Sequence, residues 1–343
     1  MLNIQFSPAH RHEFFRRQTP GRRGEWDGIR FNVQDPTEPI HAWFVYEGLS
    51  APETVLCPPG NTVLITGEPI SVRRYHPAFL AQFARVVTSQ QQIHHPGRIL
   101  RQQGLGWHIG TNRDGTAPFK GYDEFKAIGP PIKTAGLALI CSTRTLTSEH
   151  VQRVTFARRL ANHFGDRVDV FGGGLRPIPD KWNGTAPYRY SIVLENSSHD
   201  HYWTEKLADA YLGWSFPFYW GCPNLAEYFP EGSYCHIDRN DLAGSIERIE
   251  RAMANNLYET SLEQLAVARE RVLDRYNLYA EMAELARRLP ADTPRRTTIL
   301  PESTFETRPG LHRRLYRRAV GKARSLSLGV TELLDGFRNG RPR

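Results

Sequence analysis

The chain has 343 residues, 40% of them hydrophobic and 23% charged. That is the make-up of an ordinary water-soluble protein too long for one core. No apolar run reaches the length of a membrane-spanning helix, and residues 1–17 mix His, Arg and Phe where a signal peptide has an apolar core, so a cytoplasmic protein is expected. The net charge of +8 lies wholly in residues 295–343, where twelve Lys or Arg stand against four Asp or Glu. The remaining body is neutral, which speaks against nucleic acid as a partner.

In chain order, strand-like runs at 41–46, 62–66 and 85–88, with a helical run at 77–83, predict a β/α region. The joints Pro58-Pro59-Gly60 and Pro130-Pro131 interrupt it, and the second reads as an interdomain linker. From residue 137 the alternation is regular: strand 137–141, helix 147–164, strand 167–171, strand 190–194, helix 204–212 and strand 216–220. A short helix near 224–228, a strand-like run at 234–237 and helices over 240–288 follow. Alternation of this kind implies mainly parallel sheets covered on both faces. The predicted fold class is therefore α/β, two facing Rossmann-like domains with a cleft between them. The expected division is 1–135 for an N-terminal α/β domain, 136–290 for a second, Rossmann-like domain, and 291–343 for a basic tail. Within the tail, Leu311, Leu315, Tyr316, Ala319 and Val320 recur at helical spacing with Arg313, Arg314, Arg317 and Arg318 between them. Such a segment is either a membrane-surface helix or a disordered basic extension. The four cysteines, Cys57, Cys141, Cys222 and Cys235, show neither metal-ligand spacing nor disulfide density, and buried free thiols are expected.

The densest polar stretch is LENSSHDHYWTEK at 194–206, between a strand-like and a helix-like run. A helix starting near Thr204 points unpaired N–H groups and partial positive charge at the loop before it. Lys206 adds a full charge, Asn196, Ser197 and Tyr202 add directional hydrogen-bonding groups, and Glu205 is placed to accept bonds from sugar hydroxyls. A site for a phosphorylated, sugar-bearing ligand and a merely capped helix start fit these residues equally well.

The same stretch resembles the signature of glycosyltransferase family 10, the α-1,3-fucosyltransferase family, usually FENS-x4-Y-x-TEK; Leu194 in place of Phe is the one departure. Arg153-Val-Thr-Phe156 resembles the family's R-x-x-F, Val168-Asp169-Val170-Phe171-Gly172 its V-D-V-Y-G, and Pro217-Phe218-Tyr219-Trp220-Gly221 its P-I-Y-W-G. Lys181 stands at the family's spacing, fifteen residues before Asn196. The likeness covers about 140–240 and is much looser before that.

The resemblance implies a bacterial member with the GT-B arrangement, moving L-fucose from GDP-fucose to an acceptor glycan such as lipopolysaccharide. By position, Arg153 and Lys206 would neutralise the donor's diphosphate, Glu205 would hold the ribose hydroxyls, and Asn196, Tyr202 and Lys181 would contact phosphate or the transferred sugar. No Asp-x-Asp pair is present, so no metal or other cofactor is implied. An inverting transfer needs a general base, and Glu68, on a Gly67-Glu68-Pro69 turn directly after a strand, is the candidate. The Gly172-Gly173-Gly174 run, the histidines His94, His95, His108, His199 and His201, and Trp107 are weaker signals. Partners expected are a nucleotide sugar, a glycan and, through the tail, the inner face of a membrane. The same fold with another nucleotide sugar, or a non-catalytic glycan- or membrane-surface-binding protein, stands as the alternative.

Overall fold

The computed structural model describes residues 2–9, 12–31, 38–112 and 120–306. In the first half the strands are β1 (Leu2–Pro8), β2 (Glu25–Trp26), β3 (Ile29–Phe31), β4 (Ala42–Tyr46), β5 (Glu53–Cys57), β6 (Thr62–Ile65), β7 (Arg85–Thr88) and β8 (Arg98–Leu100). All but β5 join one sheet in the order β2-β3-β1-β4-β6-β7-β8. Pairing is parallel throughout except between β2 and β3. The runs Ala42–Tyr46 and Thr62–Ile65 are buried at every residue, as strands covered on both faces must be.

The second half carries β9 (Ala135–Ile140), β10 (Val168–Phe171), β11 (Tyr188–Leu194), β12 (Phe216–Trp220) and β13 (Cys235–His236). They form a wholly parallel sheet in the order β10-β9-β11-β12-β13. The helix Ser148–Phe164 links β9 to β10, and Glu205–Leu212 links β11 to β12. Strand order reverses between β9 and β11. In doubly wound sheets of this order the ligand crevice opens at that switch point, beyond the carboxyl ends of the strands.

Both domain boundaries differ from those expected at 135 and 290. Leu105 packs against the first core, whereas Trp107, Ile109 and Phe125 already belong to the second. The chain therefore crosses near Gly106, well before Pro130-Pro131. It crosses back at Asn277: Val272, Leu273 and Tyr276 lie in the second core, while Leu278, Tyr279, Met282 and Ala286 of the helix Leu278–Arg287 pack on the first sheet. Asn277 is fully buried and caps this helix, accepting from Tyr279 N at 3.0 Å and donating to Gln18 O at 2.8 Å and Leu273 O at 3.0 Å. The two crossings touch. A Cβ at Gly104, where φ is +67°, would meet Leu278 Cα at 2.9 Å, so only glycine lets these backbones approach.

Beyond the helix, β14 (Arg295–Ile299) pairs antiparallel with β5, and Arg73 bonds Glu302 at 3.0 Å. The part of the expected tail up to residue 306 is thus built into the first domain. The amphipathic run at 311–320 lies outside the described residues. The cysteines are free, and Cys57, Cys141 and Cys222 are buried.

Candidate active site

A cleft of ≈ 820 Å³ opens at the switch point. The second domain contributes the loop after β9 (Ser142, Thr143, Arg144), the glycine turn after β10 (Gly172, Gly173), and Asn196, Glu205 and Lys206 after β11. Thr143 N donates to Gly173 O at 3.2 Å, so one loop braces the other. Glu68 and Val72 of the first domain and His108 of the crossing complete the lining. Of the seven residues expected from sequence, Glu68, Arg153, Lys181, Asn196, Glu205 and Lys206 meet here.

Each cation is held by specific acceptors. Arg153, on the helix Ser148–Phe164, is 5% exposed and donates from Nη1 to Asn196 Oδ1 at 2.8 Å and from Nη2 to Ser142 O at 2.9 Å. It thereby joins the loops after β9 and β11. Lys206 Nζ lies 3.1 Å from Thr204 Oγ1, 3.2 Å from Glu205 Oε1 and 3.3 Å from Glu195 Oε2. Burial disfavours its charge, but Glu205 and Glu195 more than offset this and raise its proton affinity. Burial likewise pushes the Glu205 carboxyl upward. Lys206, His108 and Lys181 outweigh that and hold it well below the usual carboxylate range, so Glu205 stays ionised. Glu195, wholly buried, accepts from Thr204 N at 2.9 Å and Thr204 Oγ1 at 2.7 Å, fixing the start of the helix Glu205–Leu212. Lys181 pairs at 2.6 Å with Asp209 Oδ2, and Asp209 Oδ1 accepts from His108 N and Ile109 N at 3.0 Å each. One buried aspartate therefore anchors a cleft lysine and the interdomain crossing together.

The facing side is acidic. Glu68 follows β6, and its proton affinity is raised by burial and then by Glu47, with Lys206 and Arg73 pulling the other way. Glu47 sits at the end of β4 in a left-handed conformation (φ +63°). A Cβ at Gly67 would collide with the Glu47 carboxylate and lie 3.1 Å from the Tyr46 hydroxyl. Any larger residue at this position would push the Glu47 carboxylate aside. Both line a smaller cavity of ≈ 180 Å³ that adjoins the cleft through Asn196, Glu205, Lys206 and His108. Tyr202, the seventh expected residue, is 1% exposed and lines this smaller cavity.

Residues 131–258 match the model of the C-terminal domain of glycosyltransferase family 10 (fucosyltransferase). This stretch, under half of the chain, is similar to the family 10 domain. It is 36% identical over 107 residues to the α-(1,3)-fucosyltransferase 4 of Mus musculus, 29% of this chain and 24% of that protein. To the α-(1,3)-fucosyltransferase of Helicobacter pylori it is 32% identical over 106 residues, 27% of this chain and 22% of that protein. The chain thus spans about a quarter of the length of these relatives. A crystal structure of an α1,3-fucosyltransferase with GDP superposes with a TM-score of 0.47 at 15% identity, covering 81% of this chain and 92% of the other.

Within the matched stretch, the two histidines between Ser198 and Tyr202 serve packing. His199 stacks on Tyr202 at 4.7 Å and meets Ser89 Oγ of the first domain at 3.2 Å; His201 Nδ1 lies 2.6 Å from the Tyr228 hydroxyl. Trp107 is core, and His94 and His95 line neither cavity. Among the described residues no group of three or more His, Cys, Asp or Glu is placed to hold a metal ion. Sequence reasoning passed over Glu195, Asp209, Glu47 and His150, and set His108 aside. An acid amid the apolar residues of LADAYL was the available signal for Asp209; nothing comparable marked Glu47.

Proposed function

We propose that the chain is an inverting glycosyltransferase that moves L-fucose from GDP-fucose to a hydroxyl of an acceptor glycan; the relatives it resembles are named α-(1,3)-fucosyltransferases. The observation that carries this reading is convergence. One domain brings Arg153, Lys181, Asn196, Glu205 and Lys206 to a single cleft, and the other brings a partly buried carboxylate, Glu68. In the proposed step the acceptor hydroxyl gives its proton to Glu68 as its oxygen attacks the anomeric carbon. The bond from that carbon to the diphosphate breaks on the opposite face, and the electron pair leaves with GDP. Arg153, Lys206 and the N-terminal end of the helix Glu205–Leu212 take up the negative charge that develops. Charge stabilisation of this kind does the work of a metal ion, and turnover unaffected by EDTA is expected. Glu205, held ionised, is suited to accept from the ribose hydroxyls.

Calorimetric titration with GDP and GDP-fucose tests the donor. Binding in the micromolar range supports it, and no heat with either at millimolar ligand sinks it. Nucleotide release from a panel of GDP-, UDP- and dTDP-sugars tests the choice of sugar. Among the described residues no helix is long and apolar enough to cross a membrane. For the basic stretch 307–343 we propose contact with an anionic membrane surface. Co-sedimentation with phosphatidylglycerol vesicles should be lost on its deletion.

A further inference from the structure

One polar side chain in the donor cleft has no part in the scheme above. His150 stands in the first turn of the helix Ser148–Phe164, three residues before Arg153, and its backbone N–H is capped by Thr147 at 3.2 Å. The residue lines the cleft and is 5% exposed. Its Nδ1 is enclosed and has no hydrogen-bond partner among the described residues. The same is true of Arg153 Nε, one turn further along. Buried polar atoms are almost always paired. Three unpaired buried atoms stand at the head of this 17-residue helix, Glu149 Oε2 among them; the two that belong to residues lining the cleft, His150 Nδ1 and Arg153 Nε, are hydrogen-bonding groups that a ligand could partner.

We propose that His150 is a donor-binding residue, an uncharged imidazole that gives a hydrogen bond to the diphosphate of the bound nucleotide beside Arg153. This rests on the donor reading above. The charge around the ring supports it: burial first, then the cations Arg153 and Lys206, hold its pKa to about 4, with Glu149 opposing and Arg144 adding to the effect. At neutral pH the imidazole therefore carries a single N–H and no charge. It adds a hydrogen-bond donor to the site without adding to the repulsion between the cations. An arriving diphosphate offsets Arg153 and Lys206, which raises the proton affinity of His150. Binding near pH 5 then draws a proton onto the ring.

Titrating the full chain with GDP and with guanosine, for wild type, His150→Leu and His150→Gln, tests this. The leucine variant should bind GDP about tenfold more weakly and guanosine as well as wild type does. The glutamine variant, which restores an N–H donor, should recover most of the GDP affinity. GDP titrations at pH 5 in buffers of different ionisation enthalpy should show less proton uptake for His150→Gln than for wild type. If His150→Leu binds GDP as tightly as wild type, or loses guanosine equally, the assignment is wrong. Should the leucine variant fail to fold, unchanged proton uptake in His150→Gln would overturn it as well. Failure of wild type to bind GDP at all would instead remove the donor reading.

Discussion

The two sheets present opposite chemistry to the space between them. At the carboxyl ends of the second sheet stand cations, two of them tied to buried acids: Lys206 to Glu195 and Glu205, and Lys181 to Asp209. At the same ends of the first sheet stand two neighbouring glutamates, Glu47 and Glu68. The cationic side has its charges pre-oriented by acids and hydroxyls, which suits it to grip an anion without reorganising. On the acidic side, proton affinity is raised by burial and by a like charge, which suits it to take a proton. Neither side is a site alone; the contrast between them is what makes a transfer reaction plausible.

Removing the proton acceptor should break that contrast most severely. Glu68→Gln is expected to lower transfer from GDP-fucose to an acceptor glycan by about 10²–10⁴-fold, with GDP affinity within a factor of two or so of wild type. A variant with full turnover removes Glu68 as the base. On the opposite side, Arg153→Ala should weaken GDP binding by about 10- to 100-fold, and lysine should not restore it, because Arg153 bridges Asn196 and Ser142 with two nitrogens. Titration calorimetry reads both variants.

Glu195 separates support from contact. Glu195→Ala leaves Lys206 and Thr204 without their buried partner and should cost about 3 kcal/mol of stability, seen in denaturant unfolding. If stability is unchanged, the acid is not the anchor described above. The smallest effect concerns pH. In the proposed role Glu68 must be ionised for transfer, and its proton affinity is raised, so activity should fall as pH drops through a value above the ordinary glutamate range. Glu47→Gln removes a like charge and should move that acidic limb to lower pH. A limb that stays in place would show that Glu47 does not act on Glu68.

The second domain was the more legible because its information is local. Strands of regular spacing, Thr204 as a helix cap and the ordered motifs from Arg153 to Gly221 all lie along the chain as they lie in space. The first domain hides what comes from distant pairing. β14 finds β5 across most of the sequence, and the helix Leu278–Arg287 packs on the first core although only a short bend at 276–277 separates it from helical residues of the second. The proline pair at 130–131 looked like a linker because prolines punctuate chains; the real passage at Gly106 is marked only by small residues. Glu68 was readable from its turn, whereas Glu47 becomes its neighbour only once β4 and β6 pair.

The contact of Gly104 with Leu278 has a mechanical meaning. The chain passes between the halves twice, and both passages run against each other at one place. Such a double strap ties the halves together at one place, which makes it the natural pivot for any relative motion between them. A protease nick in one passage would leave the halves still joined by the other. A bulky residue at position 104 should jam the pivot while leaving the residues on both cleft walls untouched.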